Sequence, residues 1–268
     1  MRSIFIILLI SFFSANAFSD SKPLLVIGAS YANAGVPYND NLQAPLGGIA
    51  VDFGSYLSLG NALIRNPLLD GHVVNEAQAG ATTFDRTACN PICDSSIQWQ
   101  SYDKQLTKAL GRVTVPGGPV NSDYVVITTA NDCLHSDAFG IPQNEAIPCS
   151  DVEMNNSIDN LIQVGQRALD NGITPIYDIM PEWEALDLPF FQSAFGLIWA
   201  ISEADYNKLR SLHNSRISSE LPEAVIINMW KGFEHRGDGI HPTDLTTKKA
   251  AMRITLKMLW MQSKLNSH

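Results

Sequence analysis

At 268 residues, with 27 acidic against 18 basic side chains, the chain carries a formal charge of −9. That balance, with no basic cluster standing out, argues against nucleic acid as a partner and against holding an anionic membrane by charge. The length suits one sizeable α/β domain, and an apolar share of 45% is enough to build its core.

Residues 1–17 read as an export signal. Arg2 opens it, Ile4 to Phe13 are apolar but for Ser11, and Ala15-Asn16-Ala17 is a small-x-small cleavage site. The apolar run is too short to span a bilayer, and no cysteine follows the cleavage site to take a lipid. The expectation is a secreted or periplasmic domain over residues 18–268, without a stable membrane anchor. In such a compartment four cysteines pair. Of the three possible connectivities, proximity favours Cys89–Cys93 with Cys133–Cys149. Zinc at Cys89-x-x-x-Cys93 is the alternative, but no second Cys/His pair lies near it in sequence.

Leu24-Leu25-Val26-Ile27 is apolar at every position, as a strand buried on both faces is. Gly28-Ala29-Ser30 then turns, which sets the Ser30 hydroxyl just past the strand's carboxyl end, where open α/β sheets bind ligands. Gly48 to Arg65 has apolar residues at helical spacing. Val73 to Ala77 reads as a second strand with an outgoing loop from Gln78 to Thr83. Cys89 to Cys93 reads as a loop around Asn90-Pro91, and Ile97 to Leu110 as a helix.

Tyr124 to Thr129 is a third strand, rich in β-branched residues, and it ends in Ala130-Asn131-Asp132. Val152 to Asn171 is an amphipathic helix, with Asp151 as cap and Gly172 at its end. Ile173 to Ile179 is a fourth strand, Ser202 to Ser219 a helix, Ala224 to Met229 a fifth strand, and Thr243 to Leu265 a closing helix capped by Thr243. Between them Pro181 to Ile201 is aromatic and apolar. Strands alternating with helices imply right-handed crossovers. The class is therefore α/β: a three-layer α/β/α sandwich around a five-stranded, mostly parallel sheet.

One pair of residues carries chemistry. An acid three residues before a histidine, as in Asp238-Gly239-Ile240-His241, can turn back and accept the Nδ1 proton. Nε2 is then left as a base. Ser30 becomes a candidate nucleophile for that base. Gly80, with no side chain to obstruct its N–H, the Asn131 amide and the Ser30 N–H are candidate donors to an oxyanion. Taken singly, each has a plain structural role as a turn or cap residue. His235, in the same loop, is the competing base. His72 reads as a turn residue and His213 as a helix residue, while His135, just after the Asn131 loop, reads as a satisfied polar residue with cleft-lining as the alternative.

Together these blocks resemble the SGNH (GDSL-type) hydrolase superfamily. They are Gly28-Ala29-Ser30-Tyr31-Ala32-Asn33-Ala34-Gly35, Asn75-Glu76-Ala77-Gln78-Ala79-Gly80-Ala81-Thr82, Thr129-Ala130-Asn131-Asp132 and Asp238-Gly239-Ile240-His241-Pro242, in family order, each after a predicted strand. The resemblance implies a flavodoxin-like sheet, Ser30 as nucleophile, His241 as general base and Asp238 as the acid that orients it. It implies an oxyanion hole of Ser30, Gly80 and Asn131, and no metal or organic cofactor. Two positions depart from the family pattern. Ala29 stands where the family has Asp. Thr129 stands where it has Gly, and its branched side chain is expected to crowd the turn that aims Asn131. The rival α/β-hydrolase elbow wants Gly-x-Ser-x-Gly, and Ala32 occupies its last position.

The implied activity is hydrolysis of carboxylic esters through an acyl-enzyme. The substrate expected is a small-molecule or lipid ester: a lipid, lysophospholipid or short-chain acyl ester. Carbohydrate O-acetylesterases, thioesterases and acyltransferases share the superfamily. A binding module that keeps the scaffold without catalysis is the reading from another class. The aromatic stretch from Trp183 to Trp199 fits either a core helix pair or a wall for an acyl chain.

Overall fold

The computed structural model describes residues 22–33, 56–69, 72–89, 93–134, 149–195 and 201–265. The expected export signal, the first part of the 48–65 helix, His135 and Trp199 lie outside the described residues. Five strands form one all-parallel sheet: β1 (Leu24–Ile27), β2 (Val73–Asn75), β5 (Tyr124–Ile127), β6 (Thr174–Asp178) and β7 (Val225–Ile227). Their order is β2-β1-β5-β6-β7. Register is set by pairs such as Leu24 with Val73, Leu25 with Val125, Val126 with Ile176 and Tyr177 with Ile226.

The helices are α1 (Leu59–Ile64), α2 (Tyr102–Val113), α3 (Asp151–Asp170), α4 (Leu188–Phe195), α5 (Glu203–Glu220) and α6 (Asp244–Leu265). Successive strand residues point to opposite faces, so each strand feeds two cores. Leu24 and Val26 pack in one core with α1 and α6 through Leu59, Leu63, Ala250 and Ile254. Leu25 and Ile27 pack in the other with α2 and α3 through Leu106, Ala109, Leu161 and Val164. This double burial is why the strands read as apolar runs. The expected three-layer α/β/α sandwich is the fold.

Three expectations need correction. The stretch before α2 is not helical from Ile97. Arg86–Cys89 (β3) and Cys93–Trp99 (β4) form an antiparallel hairpin outside the main sheet, and α2 begins only after Ser101, whose side chain accepts from Lys104 N at 3.4 Å. The cap of α3 is Ser150, not Asp151. Ser150 Oγ accepts from Glu153 N, and the Glu153 carboxylate accepts from Ser150 N at 2.6 Å, a reciprocal capping box. The first strand keeps the bounds read from sequence, but the other four are shorter than read, each ending a residue or two earlier.

Β1 has β2 on one side and β5 on the other. The crossover from β1 to β2 therefore runs one way and that from β2 to β5 the other, and a crevice opens at the carboxyl ends of β1 and β5. Ser30 follows β1 and Asn131 follows β5, so topology alone brings those two loops side by side.

Candidate active site

Ser30 sits in a turn in which Ala29 O accepts from Ala32 N (3.1 Å) and Asn33 N (3.0 Å). The turn is fixed from behind at Gly28, whose N–H donates 2.8 Å to the Oε1 of fully buried Gln105. Gly28 has φ +150°, and a Cβ there would come within 2.0 Å of Thr128 Oγ1. Glycine is therefore required where β1 crosses β5 so closely. Ala29, in place of the family's Asp, is buried and makes the turn through its backbone.

The second loop is tied to the first by Gln78 N, which donates to Gly28 O at 3.0 Å. Gly80 has φ +79°, a left-handed conformation glycine adopts without strain. One residue on, Ala81 O accepts from both Asn131 N (3.3 Å) and Asn131 Nδ2 (3.2 Å). The Gly80 and Asn131 loops are thus joined at the amide that sequence marks as a donor. One Nδ2 hydrogen is used in this contact, and the other remains to donate. Buried Asp132 adds a second tie: Thr83 donates to it from N (2.8 Å) and Oγ1 (2.5 Å), and Asn160 of α3 donates to Thr83 Oγ1 at 3.0 Å. Burial raises the Asp132 pKa, and the bonds from Thr83 oppose that rise.

Thr129 does not crowd the turn. Its N and Oγ1 donate to Asp178 Oδ2 at 3.0 and 2.9 Å, and Trp230 Nε1 donates to the same oxygen at 2.9 Å. The side chain expected to disturb the Asn131 turn anchors it to the end of β6 instead.

The third part of the site lies in the loop before α6. His241 Nδ1 is 2.8 Å from Asp238 Oδ2. The other carboxylate oxygen, Oδ1, accepts from His241 N (2.8 Å) and Ile240 N (3.1 Å). Burial alone would raise the Asp238 pKa. The hydrogen bond and charge of His241, with the two backbone donors, outweigh it and hold the carboxyl below its usual range. Asp238 is therefore ionised at neutral pH and fixes the tautomer that leaves Nε2 unprotonated. His235 does not compete for this role. Its Nδ1 accepts from Gly237 N and Gly239 N, both at 3.1 Å, and so staples the loop that carries Asp238 and His241.

Tyr56, just before α1, links the first loop to the last. Its hydroxyl donates to Ser30 O and, at 3.2 Å, also reaches Asn33 O. Its ring lies 4.9 Å from the His241 imidazole. Phe191 of α4 covers another edge of that imidazole at 6.0 Å, and His241 is 1% exposed. Sequence reading did not single out Tyr56, because nothing local shows that its hydroxyl reaches back to residue 30. Asp178 carried a faint signal, as the one acid that ends an apolar strand.

A cleft opens at this edge of the sheet. Ser30 and Asn131 line its polar end, and Leu134, Met180, Leu186 and Leu188 its apolar walls. Ile240 brings the last loop to the same cleft. The segment read as either core or acyl wall has residues in both the core and the cleft. Trp183 packs on Tyr206 at 5.5 Å, while Leu186 and Leu188 face the cleft. Next to Asn131, Cys133 is bonded to Cys149 with Cα atoms 4.9 Å apart. The expected Cys89–Cys93 bridge falls on side chains outside the described residues.

No family model matches the chain, and no curated protein matches it by sequence. Solved structures do. The chain is similar to a GDSL-like lipase from Bacteroides thetaiotaomicron VPI-5482, at 10% identity and a TM-score of 0.51, over 90% of this chain and 89% of that one. It is similar to a candidate arylesterase from Agrobacterium tumefaciens C58, at 15% identity and a TM-score of 0.51, over 88% and 98%. It is also similar to a candidate acylhydrolase from Bacteroides fragilis NCTC 9343, at 11% identity and 0.51, over 90% and 89%. The class is a doubly wound α/β sheet with a serine, an acid and a histidine at its carboxyl edge. The fold is that of the SGNH (GDSL-type) hydrolases.

Proposed function

We infer that the protein is an exported serine esterase that works through an acyl-enzyme on Ser30. The observation that carries this is the Asp238–His241 pair, its imidazole buried under Tyr56, whose hydroxyl also holds the Ser30 carbonyl. In the reading, Ser30 Oγ attacks the ester carbonyl while His241 Nε2 takes its proton. The backbone N–H groups of Ser30 and Gly80 and the Asn131 amide receive the oxyanion. Collapse of the tetrahedral intermediate expels the alcohol with the proton from His241. Water, deprotonated by the same imidazole, then releases the carboxylic acid and restores Ser30. The apolar walls of the cleft favour an acyl chain over a sugar as the group bound beside Ser30.

Export is supported by the signal-like residues 1–17 and by the Cys133–Cys149 bridge, since disulfides persist in oxidising compartments. Protein recovered from outside the cytoplasm is expected to begin at Phe18.

The test of the esterase reading is Ser30→Ala. The variant is expected to keep its fold, to lose p-nitrophenyl ester hydrolysis by several orders of magnitude, and to lose labelling by a fluorophosphonate. Unchanged turnover refutes the assignment, and an unlabelled, correctly folded wild type makes the chain a binding module. An acyl-length series then sets the substrate. A maximum at medium or long chains supports a lipid ester, and one at acetyl points to deacetylation.

A further inference from the structure

Among the described residues, the closing helix leaves one face unpacked. Thr247, Ala250, Ala251, Ile254, Thr255 and Met258 of α6 are buried against the sheet side. On the other side Leu245, Met252, Leu256 and Trp260 are 57, 47, 55 and 53% exposed. Steps of seven, four and four residues put all four on one stripe, about 22 Å long at a helical rise of about 1.5 Å per residue. A single exposed apolar residue needs no explanation, but four in one line form an apolar stripe.

The stripe is bordered by cations. Lys249 lies within it, at four residues from Leu245 and seven from Leu256, and Lys248 lies on one flank. On the other flank the ammonium groups of Lys257 and Lys264 sit 4.3 and 5.4 Å from the centre of the Trp260 ring. From Leu245 to Leu265 the helix has no Asp or Glu. Among the described residues, no carboxylate pairs with Lys248, Lys249 or Lys257. Two copies of the chain meeting on this face would set lysine against lysine. An anionic bilayer satisfies every part of it. The aliphatic side chains reach below the headgroups, Trp260 sits at the boundary, and the lysines meet phosphate.

The whole-chain charge of −9 argued against such binding, but charge acts only within about 10 Å at moderate salt. Acids farther than that from the helix therefore do not cancel its charge. The stripe also begins four residues after His241, so a lipid surface on α6 lies next to the loop that carries the site.

We propose that the outer face of α6 docks the protein on anionic lipid bilayers. The corollary, that lipid esters in that bilayer are the substrates, rests on the esterase reading.

The experiment is flotation of the full chain with vesicles of phosphatidylcholine and phosphatidylglycerol, against phosphatidylcholine alone. The wild type is expected to float with the mixed vesicles only, and less as salt rises. Leu256→Glu, Trp260→Glu and the double variant Lys249→Glu/Lys257→Glu are each expected to lose about tenfold or more in partitioning. Their turnover of a soluble p-nitrophenyl ester is expected to stay at the wild-type level. Ser30→Ala is expected to float like the wild type, so failure of docking and failure of catalysis are read separately. Absence of wild-type flotation overturns the proposal, as does equal flotation of the variants. Self-association reversed by Leu256→Glu, without vesicle binding, assigns the face to a second copy and also overturns it.

Discussion

Tyr56 shows how much one side chain holds. Burial, then the nearby Asp238 charge, push its phenol far above the usual range, so it is a permanent donor. Removing the hydroxyl leaves the carbonyls of Ser30 and Asn33 buried with a donor missing, a penalty of about 1–3 kcal/mol. Tyr56→Phe keeps the ring against the imidazole and frees the Ser30 turn. We expect kcat to fall about tenfold with KM little changed, and Tyr56→Leu, which removes the ring as well, to fall further. Wild-type kcat in the Phe variant would remove Tyr56 from the account. Asp238 makes a different prediction. Its folded pKa is depressed, so its contribution to stability is complete above the unfolded value of about 3.9 and is lost as pH falls through the lower folded value. Asp238→Asn is expected to flatten that part of the acid limb in urea unfolding between neutral and acid pH. At neutral pH the same variant is expected to lose orders of magnitude in turnover, because the wrong tautomer is favoured.

At this scale Ser30, Gly80, Asn131, Asp238 and His241 were all open to sequence reading. Each follows a strand or precedes a helix in a stretch whose small, polar composition departs from the apolar runs around it. Tyr56 gave no signal and Asp178 only a faint one, because their partners lie 26 and 49 positions away and no local pattern encodes that. Thr129 was read with the wrong sign. Its hydroxyl looks like bulk in sequence, and only the neighbouring strand's carboxylate makes it a donor.

Among the elements, the bridge from Cys133 to Cys149 has the clearest consequence. It ties the turn after β5 to the residue before the Ser150 cap of α3. Cys133 has φ +64°, the one non-glycine residue with positive φ among those described, and Leu134 N donates back to Asn131 O at 3.2 Å. The bridge therefore helps hold an unfavourable backbone two residues from Asn131, the proposed oxyanion donor. With a sequence separation of 16, the chain-entropy model gives about 3 kcal/mol. For a domain of this size that is about 5–10 °C in melting temperature. Cys149→Ser is expected to show that loss together with reduced turnover. Unchanged values of both would separate the bridge from the site. The β3–β4 hairpin was hidden for a related reason. Its strands pair with each other rather than with the main sheet, and Asp94-Ser95-Ser96 lacks the apolar alternation that marks a half-buried strand.

Over the whole molecule, the doubly wound order does most of the positioning. Once β1 lies between β2 and β5, two loops more than a hundred residues apart in sequence must meet at one edge. That convergence was legible because it follows from strand–helix alternation and right-handed crossovers, which are general rules. The outer face of α6 was not legible from totals, since a net acidic chain can still gather its cations on one helix. Surface patterning needs the fold before it can be read.

The bridge at Cys133 also bears on when the protein becomes competent. In a reducing cytosol the two thiols stay apart, the strained residue can relax, and the turn that presents Asn131 loosens. On the proposed reading of an exported esterase, a chain with both thiols reduced is expected to stay folded with reduced turnover. Protein purified with its thiols reduced is expected to regain turnover on mild air oxidation, in step with the disappearance of titratable sulfhydryls.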